Sequence, residues 1–350
     1  RPGLPSLFQT ATPNVTTPAA AATEETPPLP TEPAATLTPV PLPSDTPLPT
    51  PTATPLGGGT GQIAFASTRT GIPQVYIINV DGSGIRQITN EQDGACQPDW
   101  SPDGKRLVYV TPCKQKLDVY QGSSLYLIDA NGENRTALPT SLGGDFEPAW
   151  SPDGKRIAFT SQRDGYMEIY MITLETNQIT RLTRAQDVAR GVHARMPAWN
   201  PVGFQLAYVL KRSGTTQIWV TTDGDVYLPK PNEQLAQTGN ETNDFLPVWT
   251  RDGQFVLFSQ TNFEGTSPAW LMSLRYEDRL TKQAVRLPIE PLPIVDVSIS
   301  SDGFWMAFES WPDSLNHDIY ISTLTGANRI RVTTDPGFDF DPVWRPIKTD

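Results

Sequence analysis

Histidine and cysteine are almost missing from these 350 residues. There are two of each, His193 and His317, Cys96 and Cys113. No C-x-x-C or H-E-x-x-H pattern occurs, so the common zinc chemistries have no ligand set. There is no G-x-S-x-G elbow, and neither histidine lies beside a candidate nucleophile, so a Ser-His-Asp hydrolase has no support. No run of 18 apolar residues is present, so no segment reads as a membrane-spanning helix. Positive charge is scarce, 27 Lys and Arg against 38 Asp and Glu, for a net charge of −11. That balance argues against nucleic acid or an anionic membrane surface as the main partner. It suits a protein kept soluble outside the cytoplasm, whether periplasmic, cell-surface or secreted. Helical periodicity is absent. No starting Met or signal-peptide pattern is seen, and the chain is expected to be part of a longer protein with room for an anchor upstream.

What is abundant divides the chain in two. Residues 1–60 hold 15 Pro and 14 Thr but a single aromatic, Phe8. Such a stretch cannot bury enough apolar area to offset the ordering of its backbone, so it reads as a disordered linker. Repeated Pro, as in Thr46-Pro47-Leu48-Pro49-Thr50-Pro51, favours a stiff polyproline II stalk of about 3.1 Å per residue. Its expected role is to hold a head at a distance, with or without sugars on the threonines. All nine Trp and all ten Tyr fall after residue 60, where a sizeable core is possible.

That second part is a repeat. The phrases Gln97-Pro98-Asp99-Trp100-Ser101-Pro102-Asp103-Gly104 and Glu147-Pro148-Ala149-Trp150-Ser151-Pro152-Asp153-Gly154 recur in weaker form around Trp199, Trp249 and Trp344, and in degenerate form at Ser298-Ile299-Ser300-Ser301-Asp302-Gly303. Short apolar strands follow each of the first five, such as Ile157-Ala158-Phe159 and Ile169-Tyr170-Met171. Four short strands per unit, with Gly/Asp turns between, mark propeller blades. The count is six. The first blade opens at Gln62-Ile63-Ala64-Phe65 without its innermost strand, which Phe340 to Trp344 supplies from the other end of the chain. The predicted fold is an all-β, six-bladed propeller of four-stranded blades over residues 61–346, closed by both chain ends, with a tail at 347–350.

These phrases closely resemble the TolB-type propeller repeat over nearly all of 61–346. The resemblance implies the propeller fold strongly and a function only weakly. Members of that family include periplasmic envelope proteins of the Tol–Pal system, propellers attached to prolyl peptidases, and extracellular heads of bacterial membrane proteins. It also implies that the strand before each Trp is innermost and lines the central channel.

Asp-Gly at 103–104, 153–154, 252–253 and 302–303 reads as hairpin-turn chemistry rather than as metal ligands. Strict alternation in the inner strand puts Phe146, Pro148 and Trp150 on one face and Asp145 and Glu147 on the other. By the same pairing, Asp244, Asp296, Asp339 and Asp341 join an acidic ring at one channel mouth, completed by Gln97, His193 and Arg195. Like charges so close need an answering group. The ring is therefore either a site for a cation or a basic segment, or a solvated channel. Cys96 faces residue 111 across its hairpin, close to Cys113, so the pair is either a disulfide in an oxidising compartment or two buried thiols. The function that fits is a non-catalytic binding or sensor head, monomeric and without a cofactor, taking a protein or small ligand at the channel mouth. The alternatives are a structural envelope component, or a propeller hydrolase using Asp145, Glu147, Asp339 and Asp341 as carboxylate pairs.

Overall fold

In the computed structural model, the residues described are 61–139, 141, 143–185, 190–220, 233–234, 241–276, 284–290, 292–312 and 316–347. The Pro/Thr-rich segment, with the disorder expected of it, and the last three residues of the tail lie outside them. No helix among the described residues is long and apolar enough to cross a membrane.

The phrases ending at Trp100, Trp150, Trp249 and Ile299 each form an inner strand and turn at Asp-Gly into an antiparallel meander; that of Trp199 turns at Val202-Gly203, and that of Trp344 is the last strand. The result is six four-stranded sheets arranged as blades. Blade 1 combines Asp339–Trp344 with Gln62–Ser67, Gln74–Asn79 and Arg86–Gln87. Blades 2 to 6 begin with inner strands Cys96–Trp100, Asp145–Trp150, His193–Trp199, Thr242–Trp249 and Val295–Ile299. The closing strand pairs Trp344 with Ile63 and Asp339 with Ser67, so both chain ends share one sheet and no inner edge is left open. Among the described residues, the outermost strands are two residues long in every blade but the third, which keeps the exposed edges short.

The core is a set of six apolar clusters wedged between neighbouring blades. The recurring Trp belongs to these wedges. Trp100, Trp199 and Trp249 each donate the indole N–H to a carbonyl of the preceding blade's inner strand, those of Val343, Ala149 and Ala198. At the turns Gly104, Gly154, Gly253 and Gly303 have φ of 64° to 76°, where a Cβ is disfavoured. The adjacent Asp103 carboxylate accepts from Ser101 Oγ (2.7 Å) and from the Lys105 N–H (3.1 Å), so these aspartates are held by the turn itself.

Alternation fails in every inner strand. In blade 3, Phe146 pairs with Thr160 and Ala149 with Ala158, so Glu147 and Pro148 together oppose Phe159. The same register shift interrupts all six blades. The residue three before each Trp position is the bulged one: Gln97, Glu147, Met196, Leu246, Asp296 and Asp341 have φ between 49° and 55°. None is glycine, so each carries a backbone cost of order 1 kcal/mol that its surroundings must offset.

Candidate functional site at the channel

The bulge separates two sets of acids that strict alternation had joined. Asp145, Asp244 and Asp339 lie before it and turn into the blades, where all three are buried. Asp145 accepts from Ser161 Oγ (2.5 Å) and from Arg163 Nη2 (3.1 Å). Asp339 takes Arg69 Nη2 at 3.0 Å, and Asp244 takes Gln260 Nε2 at 2.7 Å. Burial pushes the Asp145 and Asp339 carboxyls up, against the pull of Ser161 and Arg163 on one and of Ser67 and Arg69 on the other. These three fasten the inner strand to the end of the second strand and the turn after it. The expected carboxylate pairs, Asp145 with Glu147 and Asp339 with Asp341, are therefore split between two environments.

The bulged residues themselves ring the channel, and several are used to stitch blades. The N–H of Gln97 donates to Asp341 Oδ2 (3.0 Å), that of Glu147 to Gln97 Oε1 (2.8 Å), and that of Met196 to Glu147 Oε2 (2.9 Å). Leu246 N–H reaches Met196 Sδ at 3.4 Å. At these four bulges the left-handed backbone aims the N–H around the ring at the side chain one blade back, which helps to offset its cost.

Above this ring the chain answers its own acids. The connection Pro112–Ser123 between the second and third strands of blade 2 is about twice as long as its counterparts at 68–73 and 162–167. It forms a strap across the mouth. Lys116 Nζ lies 2.7 Å from Asp296, 2.5 Å from Glu309 and 3.8 Å from Asp341. Two residues on, Asp118 pairs with Arg195 (2.6 Å), which also binds Glu147. One arm of the strap thus reaches blades 6 and 1, the other blade 4. Cys113 starts the strap and is bonded to Cys96 of the inner strand, with a Cα–Cα distance of 5.9 Å.

Asp296, Glu309 and Asp341 are the carboxylates close enough together to share a metal ion among the described residues, and the Lys116 ammonium stands among them. Burial raises the Asp296 and Asp341 carboxyls, against the pull of Lys116. Glu309 is held low in spite of burial, by Lys116 and by His317, whose Nδ1 lies 2.5 Å away. Lys116 is held well above its ordinary value, since the three acids outweigh its burial. One ammonium thus stands against three carboxylates. His193 sits apart from it, its Nδ1 accepting from the Met167 N–H (3.4 Å). Burial, then Lys211, lowers its pKa. Lys116, Glu309, Arg69 and Arg163 were not singled out from sequence. The length of the 112–123 segment and the Ser-x-Arg spacing of 67–69 and 161–163 are the signals that point to them.

The ring itself lines one end of a channel cavity of about 430 Å³ that reaches the prolines of the turns. Its walls are largely the residues before and two after each Trp position. The first set is Asp99, Ala149, Ala198, Val248, Ser298 and Val343. The second is Pro102, Pro152, Pro201, Arg251 and Pro346. Each set carries one charge. Asp99 Oδ2 accepts the Trp150 N–H at 2.7 Å. Arg251 donates through Nε and Nη2 to the Ser300 and Ile299 carbonyls (3.1 and 2.9 Å).

Burial pushes the Asp99 carboxyl up to about 7, against two backbone N–H groups and the field of Arg251. Between its ordinary 3.8 and that value the folded protein keeps a proton that the unfolded chain has released. Stability should therefore fall as pH rises through this window, by up to about 1.4 kcal/mol per unit. Asp99→Asn keeps an acceptor for Trp150 and carries no charge. It is expected to melt with the wild type near pH 4 and several degrees above it at pH 8. Parallel melting curves across that range would refute the assignment.

No family model matches the chain. A stretch of 48 residues, 14% of the chain, is 40% identical to the Tol-Pal system protein TolB of Geobacter metallireducens. The chain thus spans about a tenth of that relative, 11% of its length. Among solved structures, the crystal structure of TolB from Acinetobacter baumannii is similar with a TM-score of 0.66 at 22% identity, over 83% of this chain and 68% of that one. An oligogalacturonate lyase in complex with manganese is similar with a TM-score of 0.51 at 14% identity, over 78% of this chain and 73% of that one. Identities this low show a shared fold, and the fold serves binding proteins and enzymes alike.

Proposed function

Because the described part of this chain is a six-bladed propeller of TolB-type repeats, we propose that it is a non-catalytic binding module. It works outside the cytoplasm, in association with the cell envelope, as a head carried on the Pro/Thr-rich segment. It takes a protein partner on the strap-covered mouth of its channel, around Glu147, His193, Arg195, Asp296 and Asp341. The observation that carries this reading is the strap. Its charges meet those of the mouth, and between Lys116 and Asp118 it leaves Leu117 45% exposed. Beside it, Glu309 leads through His317 to Trp311, stacked on the imidazole at 4.0 Å, and to Phe338, 47% exposed. Apolar groups set among neutralised charges on a fixed platform suit a protein interface. An open acidic site would suit a free cation instead. A structural role in an envelope complex would use the same surface. The hydrolase reading loses ground, since Asp145 and Asp339 are buried against arginines.

The test is a crosslinking capture from an envelope extract with the whole chain as bait, beside folded Leu117→Asp and Phe338→Glu baits. A partner held by the wild type and reduced at least ten-fold with both variants is the expected result. A partner held equally by all three puts the interface elsewhere, and no captured protein at all removes the protein-binding reading.

A further inference from the structure

The channel cavity shares the bulged ring with the strap surface, but toward the turns its chemistry is different. Its walls are proline rings, small aliphatic side chains and the inner-strand backbone. Two ionisable groups of opposite sign interrupt them at the turn end, and Glu147, Asp296 and Asp341 line the other end at the bulged ring. Asp99 belongs to blade 2 and Arg251 to blade 5, three blades apart in a ring of six, so they face each other across the channel axis.

Both are departures from the repeat. The other blades place Ala, Val or Ser where Asp99 stands, and mostly Pro where Arg251 stands. The turn at 250–253 forms without its proline: Thr250 Oγ1 donates to Asp252 Oδ1 (2.6 Å), and Gly253 keeps its positive φ. Arg251 is therefore not needed to build the turn.

Among the described residues, no carboxylate comes within ion-pair distance of Arg251 and no cation within that distance of Asp99. Each is fixed by backbone groups instead. Carbonyls of blade 6 hold one edge of the guanidinium, and N–H groups hold the carboxylate. Each feels the other's charge, yet they do not touch. Opposite charges held apart across a largely apolar space match a molecule with both signs at its ends and an apolar body between them. The volume falls within the ~300–1,000 Å³ usual for small-ligand pockets.

We infer that this cavity binds a small zwitterion, an apolar amino acid or dipeptide, whose carboxylate pairs with Arg251 and whose ammonium pairs with Asp99. Arg251 offers the free edge of its guanidinium, and Asp99, whose proton the incoming ammonium displaces, keeps lone pairs beyond those used by the backbone. The prolines and aliphatic residues cover the apolar side chain. Asp99 and Arg251 are not among the residues of the partner surface proposed at the strap, although the cavity they line ends on the same ring.

L-leucine and L-leucyl-L-leucine are the probes, titrated by calorimetry and by intrinsic tryptophan fluorescence. N-acetyl-L-leucine and L-leucinamide, each missing one charge, serve as controls. At least one zwitterion is expected to bind ten-fold or more tighter than either control. Arg251→Pro and Asp99→Ala install residues that other blades already carry, so both variants are expected to fold. Arg251→Pro should erase the preference over the amide, and Asp99→Ala the preference over the acetylated form. Capture of a partner at the strap should be unchanged in both, so the two proposals fail separately. The inference is overturned if neither zwitterion saturates by millimolar concentration, or if both preferences persist in both variants.

Discussion

Removing residues 336–350 is expected to abolish cooperative folding of the propeller. The lost segment contains the inner strand of blade 1, whose Phe340 and Trp344 are each 1% exposed. They fill two different inter-blade wedges, Phe340 among Cys96, Tyr120 and Phe146, and Trp344 among Ile63, Phe65 and Trp305. Emptying a single buried aromatic site costs about 3–5 kcal/mol. Two such losses approach the ~5–15 kcal/mol that holds a whole domain folded. Lost with them are the Arg69–Asp339 ion pair at 3.0 Å and the hydrogen bond from the Arg345 N–H to the Gln62 carbonyl at 2.8 Å. The strand Gln62–Ser67 would then face the channel with an unpaired edge, ready to pair with another chain. Circular dichroism and light scattering should show a broad, early transition with aggregation. A sharp transition within a few degrees of the intact chain would mean that the ring does not depend on this closure.

Replacing Lys116 by Gln should cost about 3 kcal/mol at pH 8. That is the lower part of the range for breaking a buried pair, because the lysine side chain is 35% exposed while Glu309 is fully buried. The loss should shrink on acidification. Without the ammonium, Asp296, Glu309 and Asp341 repel one another and hold protons more tightly in the folded state than in the unfolded chain. Stability of the variant must then fall as pH rises and recover as pH is lowered. Denaturant melts at pH 5 and pH 8 read this directly, with a gap to wild type below about 1 kcal/mol expected at the lower pH. Adding Asp296→Asn to Lys116→Gln should restore part of the loss, since the two groups are in contact. If Lys116→Gln is as stable as the wild type at pH 8, the lysine does not neutralise the mouth.

The ring of blades could be read from sequence because its determinants are local and repeated six times. The Trp-Ser-Pro-Asp-Gly phrase encodes a strand end, a tight turn and a wedge residue together. The stitching of Gln62–Ser67 to Asp339–Trp344 follows from counting strands. The channel was harder to read, for two physical reasons. Alternation assumes an unbroken pleat, and the bulge breaks it at residues such as Gln97, Met196 and Leu246, whose types give no hint of a positive φ. The signal present was a proline inside a strand, at 98, 148, 197, 247 and 342, since proline within a sheet belongs at an edge or a bulge. The strap was hidden because Lys116 and Asp118 meet partners some 80 to 190 residues away, and pairings over such separations leave no pattern in a single sequence. Arg251 and Asp99 were visible as departures from the phrase, but their opposition across the axis depends on the number of blades.

The six bulges also bear on how such a protein can change. At each one the main chain, rather than the amino acid occupying it, sets the direction in which the side chain projects. The occupants are Gln, Glu, Met, Leu and two Asp, whereas the tryptophan three places later is kept in five copies of six. The molecule therefore separates a framework from a variable circle of positions, much as an immunoglobulin domain separates its sandwich from its loops. Point mutations at the circle can rewrite the lining of the channel one position at a time, with no insertion and little disturbance of the wedges, so new specificities are within reach of single substitutions.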